Sequence, residues 1–478
     1  MQLTIPLSRN AEPLHRQIYR SLRSAVLSGT LAGGTRLPST RDLAEQLRVS
    51  RSVVLEAYDQ MLAEGFIIGR SGSGSYVAEG LSSKGRSKPS SSARLRLSRF
   101  GTAAAQAAMA LEALIKSSRF RYDFKFGQSE SDIETFPFEK WQRMLTRRAR
   151  RASIADLDYG PVAGNALLRE AICAHLGRSR AVVCDPSEVI IVNGSQQALD
   201  LIVRVLIERG DRIAIEDPSY QGTRQILVAA GARLLPVPVD RDGLDPTGLP
   251  QQASLCFVTP SHQFPTGAVL PLARRLALLE WAVRNDAAIV EDDYDGEFHY
   301  GGRPLESLQG LDREERVIYV GTFSRTVFPS LRLGYLVVPK SLTTAFTGAK
   351  WLNDQHSAIL EQQTLAEFII SGAYERHLRR VRRRNALRLE ALLDAIHEHL
   401  AEAVDVTGDS AGAHIAVWPR RSVEENSLIA RAAERDVGIY GISHYFLTRA
   451  RRTGFLLGYA RMNVREIREG IRRLRGLL

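Results

Sequence analysis

Cysteine is scarce: the 478 residues hold three, Cys173, Cys184 and Cys256, at no metal-ligand or disulfide spacing. That excludes a disulfide-built scaffold and a zinc finger, and it suits a reducing cytoplasm. No run approaches about 18 consecutive apolar residues, which excludes a membrane-spanning helix and a membrane partner through one. Arg9 and Glu12 stand where a secretory leader needs its apolar stretch, so a cytoplasmic protein is expected. Acid is nearly missing from residues 81–120, where the single Glu112 faces Lys84, Arg86, Lys88, Arg94, Arg96, Arg99, Lys116 and Arg119. No internal repeat is present, which excludes a solenoid.

What is there is an ordinary globular balance, 44% apolar and 24% charged residues, with a formal net charge of +11. Length allows two or three domains, and the charge favours a polyanionic partner, nucleic acid above all. Three regions separate by composition: residues 1–79, a basic flexible linker over 80–120, and residues 121–478. The linker opens on the polar run from Gly80 to Ser92, which has little to bury. An Ala-rich piece from Thr102 to Leu114 reads as a helix closing it. Beyond residue 121, short apolar runs alternate with longer helical patterns. Val189–Val192, Arg212–Ile215, Leu255–Val258, Ala288–Val290 and Val317–Val320 are such runs. Runs of this length between helices indicate βαβ units and a mainly parallel sheet.

In the first region Ser39 reads as a helix cap with Asp42 in the first turn, and Leu43, Ala44 and Leu47 share a face. After the tight link Arg48-Val49, Ser50 reads as the cap of a second helix. Its Val54, Ala57, Tyr58, Met61 and Leu62 recur at helical spacing and are expected inside. Arg51, Ser52 and Leu55 then point outward near the helix start, the end that enters the major groove in a helix-turn-helix. Two short strands, Phe66–Arg70 and Ser75–Val77, flank a Gly-rich tip. That is a β-wing, with Arg70 and exposed amides suited to phosphate or minor-groove contact.

The large region carries several constellations that fit pyridoxal 5′-phosphate. Asn193-Gly194-Ser195-Gln196 lies between a strand and a helix, where free amides and the helix dipole bind phosphate. Tyr220, after the next strand, could lie flat on a pyridine ring. Glu291-Asp292-Asp293-Tyr294-Asp295 ends a fourth strand. Asp292 is the choice for keeping the pyridine nitrogen protonated, with Tyr294 bonding the ring 3′-oxygen. The acidic cluster could instead hold a metal, but it lacks other ligands, and no metal is expected. His262 is a candidate effector contact or a satisfied loop histidine.

The run Leu37–Arg41, Val49–Arg51 and Glu64-Gly65 resembles the GntR family of winged-helix regulators. The resemblance implies operator contacts from Arg41, Ser50, Arg51 and Ser52, with Gly72 and Gly74 in the wing. Gly321–Tyr335 resembles the cofactor-lysine segment of fold-type I aminotransferases. It implies that Arg332 clamps the phosphate, with Thr322 and Ser324 adding hydroxyls. It also implies that Tyr159 reaches the phosphate from a partner subunit, and Arg461 resembles the arginine that binds a substrate carboxylate. Joined, the two halves resemble the MocR/GabR-like regulators. The expected fold is a winged helix-turn-helix plus an α/β fold-type I domain with a smaller C-terminal α+β subdomain. The expected assembly is a head-to-tail homodimer that binds double-stranded operator DNA and senses the cofactor, an amine or an amino acid.

Two residues depart from the pattern. Phe264 stands where aminotransferases place an Asn on the 3′-oxygen. Arg325 occupies the Schiff-base lysine position, and a guanidinium that stays protonated is not an amine nucleophile. Pyridoxal 5′-phosphate is therefore expected to bind non-covalently and without turnover. The competing readings are an aminotransferase with an accessory DNA-binding domain and a regulator that has lost the cofactor. The arginine-rich stretch Tyr374–Asn385 reads as a solvated helix face.

Overall fold

The computed structural model describes residues 3, 5–8, 12–70, 72–81, 96–118, 122–127, 131–300, 306–450 and 452–478. The linker cations Lys84, Arg86, Lys88 and Arg94, and Arg119, lie outside the described residues. The chain divides into two compact units, Met1–Arg96 and Leu97–Leu478.

The first unit holds α1 (Leu14–Leu27), α2 (Thr40–Leu47), α3 (Arg51–Ala63) and an antiparallel pair, β1 (Ile67–Arg70) and β2 (Gly74–Val77). Ile18, Leu22 and Val26 recur every fourth residue in α1 and are buried with Leu43, Val54, Ala57, Tyr58 and Met61. Ser39 caps α2, its hydroxyl accepting from Asp42 N at 3.1 Å. Two expectations fail here. Leu62 is 50% exposed, because the buried stripe of α3 runs through Val54, Ala57, Tyr58 and Met61 and leaves the next position outside. Ser50 occupies the cap position of α3 but its hydroxyl accepts no bond from the helix backbone. Its hydroxyl lies 2.9 Å from the Ser52 hydroxyl, which competes for it.

The second unit is built on an eight-stranded sheet. In chain order its strands are β3 (Val189–Val192), β4 (Arg212–Asp217), β5 (Arg233–Asp240), β6 (Gly243–Leu244), β7 (Leu255–Val258), β8 (Ala288–Asp293), β9 (Val317–Thr322) and β10 (Gly334–Val337). Their spatial order is β3-β10-β9-β8-β7-β4-β5-β6. The five strands β9, β8, β7, β4 and β5 run parallel, and β10 is antiparallel to both neighbours. Helices bury both faces, and β3, β7 and β10 are buried at every position. All five runs read from sequence are strands, but β4, β8 and β9 continue past their apolar stretch into Asp217, Asp293 and Thr322. Those polar ends point to the C-terminal edge of the sheet, where open α/β folds place ligands.

A smaller subdomain follows. It pairs β11 (Val404–Thr407), β12 (His414–Pro419), β13 (Tyr440–Gly441) and β14 (Phe455–Gly458) in the order β11-β12-β14-β13. Helices Ala373–Leu400 and Val464–Leu474 pack on it around Leu392, Ile396, Ile467 and Ile471. The arginines of the first of these helices are not all solvated. Arg376, Arg379, Arg380 and Arg383 are exposed, but Arg382 turns inward to Glu297 at 2.6 Å and Arg384 reaches Asp132 at 3.3 Å. The Ala-rich segment forms a helix over Arg99–Ser118. No helix among the described residues is long and apolar enough to cross a membrane.

Candidate cofactor and DNA sites

The strand ends of the large sheet open onto one cavity of about 500 Å³. Nine of the ten residues read from sequence as cofactor contacts line it: Ser195, Gln196, Tyr220, Asp292, Tyr294, Thr322, Ser324, Arg325 and Arg332. Tyr159, the tenth, does not; it is 78% exposed, beside the His356 ring. Gln221, Thr259, Phe264, Pro329 and Tyr445 complete the wall. Thr259 follows β7, and its place at a strand end was an available signal. Tyr445 arrives from the C-terminal subdomain, and nothing local in the sequence marks it.

At one end the helix Ser195–Leu206 begins without a side-chain cap. Its free first-turn amides and positive dipole end suit an anion. Arg332 reaches this point and donates to Asn193 O at 3.0 Å. Its backbone is left-handed, φ +53°, a cost that a site of this kind carries. Gly194 is required between them. Its φ is +84°, and a Cβ there would sit 2.7 Å from the Arg332 guanidinium.

Asp292 lines the same cavity. Burial, then the charges of Asp293 and Asp295, push its carboxyl up to about 7. Its Oδ1 is buried with no hydrogen-bond partner, an unsatisfied acceptor on a residue of the cavity wall. The neighbouring acids are bonded, Glu291 through both oxygens and Asp293 and Asp295 through Oδ2, the Oδ1 atoms of these two being left without partners. Glu291 accepts from Leu308 N and Gln309 N at 2.9 Å each, and Asp293 pairs with buried Arg180 at 2.8 Å.

His262 is not a cavity contact, contrary to its reading as an effector ligand. It is 1% exposed, because Gly412 and Gly267 close over its ring; a Cβ on Gly412 would meet it at 2.2 Å. Its Nδ1 lies 3.1 Å from Asp295 Oδ2 and 3.0 Å from the Tyr294 hydroxyl. The imidazole thus sits between a carboxylate and a phenol and ties both to the loop after β7. His262, Asp295 and His414 bring potential metal-ligand atoms within 4.8 Å of one another. The charge of Arg325, which helps burial and His262 hold His414 unprotonated, opposes a cation there as well.

Phe264 meets Tyr220, Tyr294 and Tyr445 edge to face, with interplanar angles of 85–88°. It makes an apolar floor where an Asn would donate. The Arg325 guanidinium lies 6.0 Å from the Tyr294 ring centroid. Arg461 stands outside the wall: it is exposed, and its Nε donates to Ser131 O at 3.4 Å. Ser131 Oγ in turn donates to Ser324 O at 2.9 Å.

On the first unit, Arg41, Ser50, Arg51 and Ser52 are all exposed at the starts of α2 and α3. Arg51 Nε donates to Thr40 Oγ1 at 3.3 Å, which brings the two helix starts together. In the wing, Gly72 and Gly74 have φ +72° and +105°, and Arg70 lies over the Tyr76 ring at 4.7 Å. Arg36, not singled out from sequence, bridges to Tyr76 and lies against Gly74. It adds a second cation beside the wing.

Comparison with known proteins agrees with both units. Residues 14–77 match the family of bacterial regulatory proteins, gntR family, and residues 123–474 match aminotransferase class I and II. The probable rhizopine catabolism regulatory protein MocR of Rhizobium meliloti is 39% identical over 98% of this chain and 94% of its own length. The HTH-type transcriptional regulator TauR of Rhodobacter capsulatus is 34% identical over 96% of each. Among solved structures, an α-aminoadipate aminotransferase from Thermus thermophilus aligns with TM-score 0.71 at 30% identity, over 78% of this chain and 96% of that one. A kynurenine aminotransferase from Pyrococcus horikoshii aligns with TM-score 0.72 at 27% identity, over 80% and 95%. The chain therefore belongs to the MocR-like subfamily of gntR regulators, DNA-binding transcription regulators that carry an aminotransferase class I and II domain.

Proposed function

We propose that the large unit is a sensor that holds pyridoxal 5′-phosphate without a covalent tether and does not turn over substrate. The observation that carries this reading is the cavity itself. It offers a phosphate cradle at Ser195 and Arg332, an unsatisfied carboxylate oxygen at Asp292, and an arginine where an enzyme needs an amine. When bound, the cofactor supplies an electron-withdrawing pyridinium ring and a reactive aldehyde. Arg332 and the helix start hold the phosphate, Asp292 accepts the ring N–H, and Tyr294 donates to the ring hydroxyl oxygen. Tyr220 and Phe264 enclose the ring, with Thr322 and Ser324 as further donors. Arg325 stays protonated and can neither attack the aldehyde nor shuttle a proton. The test is borohydride reduction of the loaded protein followed by peptide mass spectrometry. The native chain binds the cofactor saturably yet yields no reduced adduct at position 325, and Arg325→Lys yields one. A reduced adduct on the native chain, or no binding, overturns the reading.

DNA recognition is proposed to run through Arg41, Ser50, Arg51 and Ser52 at the helix starts and through Arg70, Gly72 and Gly74 in the wing. Arg51→Ala weakens binding to the chain's own upstream DNA by about 1–3 kcal/mol if it reads a base edge, and flattens sequence preference at that position. If it holds only phosphate, binding falls evenly across sequences and the salt slope drops by about one. Unchanged affinity in both assays removes Arg51 from the interface. A head-to-tail homodimer is proposed from the exposed apolar group Ile154, Leu157 and Tyr159, exposed by 87, 70 and 78%. Such a patch is expected to be covered, and a partner's Tyr159 could then approach this chain's phosphate cradle. An amine or amino acid bound with the cofactor is the proposed effector, with Arg461 as its carboxylate contact.

A further inference from the structure

The Arg325 guanidinium lines the cavity, yet no described residue satisfies it. It lies 6.0 Å from the Tyr294 ring centroid. Asp295 and Asp292 act on it through space. Neither accepts a hydrogen bond from it: Asp295 Oδ2 is taken by His262, and among the described residues no carboxylate pairs with Arg325. Tyr294 gives it a ring face and no acceptor. A part-buried cation with five N–H donors in the cavity wall, unmatched by the described residues, leaves those donors for a ligand to complete. Asp292 Oδ1 presents the opposite deficit, an acceptor without a donor. The cavity thus asks its ligand for three things: a phosphate at Arg332, an N–H at Asp292, and an anionic acceptor at Arg325.

We infer that the ligand this cavity selects is a phosphorylated pyridine bearing a carboxylate where pyridoxal 5′-phosphate bears its aldehyde. The inference rests on the reading of the cavity as a phosphopyridine site, and on Arg325 occupying the position from which an enzyme's lysine reaches that ring substituent. A planar guanidinium matches a carboxylate through two parallel charge-assisted hydrogen bonds. An aldehyde oxygen takes up one donor and no charge. An ammonium, as in the amine form of the cofactor, is repelled and offers only donors to a donor. A protein built to turn over amines would favour the reverse order. The substitution at position 325 therefore changes what the pocket reads, from a reactive carbonyl to the oxidised form of the same ring.

The test is calorimetric titration of the full chain with three probes: 4-pyridoxic acid 5′-phosphate, pyridoxal 5′-phosphate and pyridoxamine 5′-phosphate. The acid is expected to bind tightest and the amine weakest, with about tenfold or more between them, the worth of one charge-assisted bond. In Arg325→Met the advantage of the acid over the aldehyde is expected to collapse to about twofold or less, a ratio within one variant that does not depend on its overall affinity. Equal binding of the three by the native chain, or an amine bound tightest, overturns the inference while the phosphopyridine reading stands. Failure of all three to bind overturns both.

Discussion

Replacing Arg332 with glycine lowers the affinity for pyridoxal 5′-phosphate by about 100-fold while leaving stability within about 1 kcal/mol of the native chain. The first effect follows from the cradle. A guanidinium beside the uncapped start of the helix Ser195–Leu206 supplies paired charge-assisted bonds to a phosphate, and of the two described cations that line the cavity it is the one bonded at that helix start. The second follows from the backbone. Arg332 is held at φ +53°, where a side chain costs about 1 kcal/mol and glycine costs little. Relief of that cost offsets the extra freedom glycine gives the unfolded chain. Arg332→Ala keeps the strain and loses the same contacts, so it binds as poorly and is the less stable of the two. Calorimetry with a phosphate-free pyridine as control reads the first effect, and denaturant titration the second. Native-like affinity in Arg332→Gly would remove the phosphate end from this part of the cavity.

Replacing Asp292 with asparagine moves stability and ligand affinity in opposite directions. The carboxyl is raised from an ordinary value of 3.8 to about 7, by burial first and then by Asp293 and Asp295. The folded chain therefore holds a proton that the unfolded chain releases. Its contribution to stability is complete below the unfolded value and is lost as pH rises through about 7. Asparagine resembles the protonated form and never ionises. At about pH 8.5 the ligand-free variant is expected to be more stable by up to about 4 kcal/mol, and at about pH 5.5 by about 2 kcal/mol, the difference closing only as pH falls to about 4. Ligand affinity falls by about tenfold or more, because the ring N–H loses a charged acceptor. Thermal melts at the two pH values, each with and without pyridoxal 5′-phosphate, read all of this. A variant less stable at the higher pH, or one that binds as well as the native chain, contradicts the placement of Asp292.

The opposing signs explain why such a residue persists at a strand end: the site keeps a carboxylate that the ligand-free fold would be better without. The same logic runs through the three polar strand ends. Asp217, Asp293 and Thr322 extend β4, β8 and β9 beyond the apolar runs that mark them in sequence. Hydrophobic patterning stops where burial is driven by apolar packing, and polar residues beyond that point stay extended only because the neighbouring strand pairs with them. His262 is the instructive miss. Its motif position suggested a ligand contact, but the closeness of Gly412 and Gly267, far from each other in sequence, buries it and makes it the support of Tyr294. Tyr445 is the complementary case, a wall residue delivered by a loop of the other subdomain.

By itself the sequence determined the two-part organisation, the strand–helix alternation of the large unit, and the identity of nine cavity-lining side chains, because apolar periodicity, turn residues and motif spacing are local properties of the chain. It also determined that position 325 carries a guanidinium and no amine. Only the tertiary structure decided which acid oxygens were left unsatisfied, that Asp292 lines the cavity while Glu291 is bonded through both oxygens and Asp293 is tied to Arg180, that His262 is buried, and that Arg325 has no partner among the described residues. Hydrogen-bond partners and burial come from segments tens to hundreds of residues apart, and no local pattern encodes them.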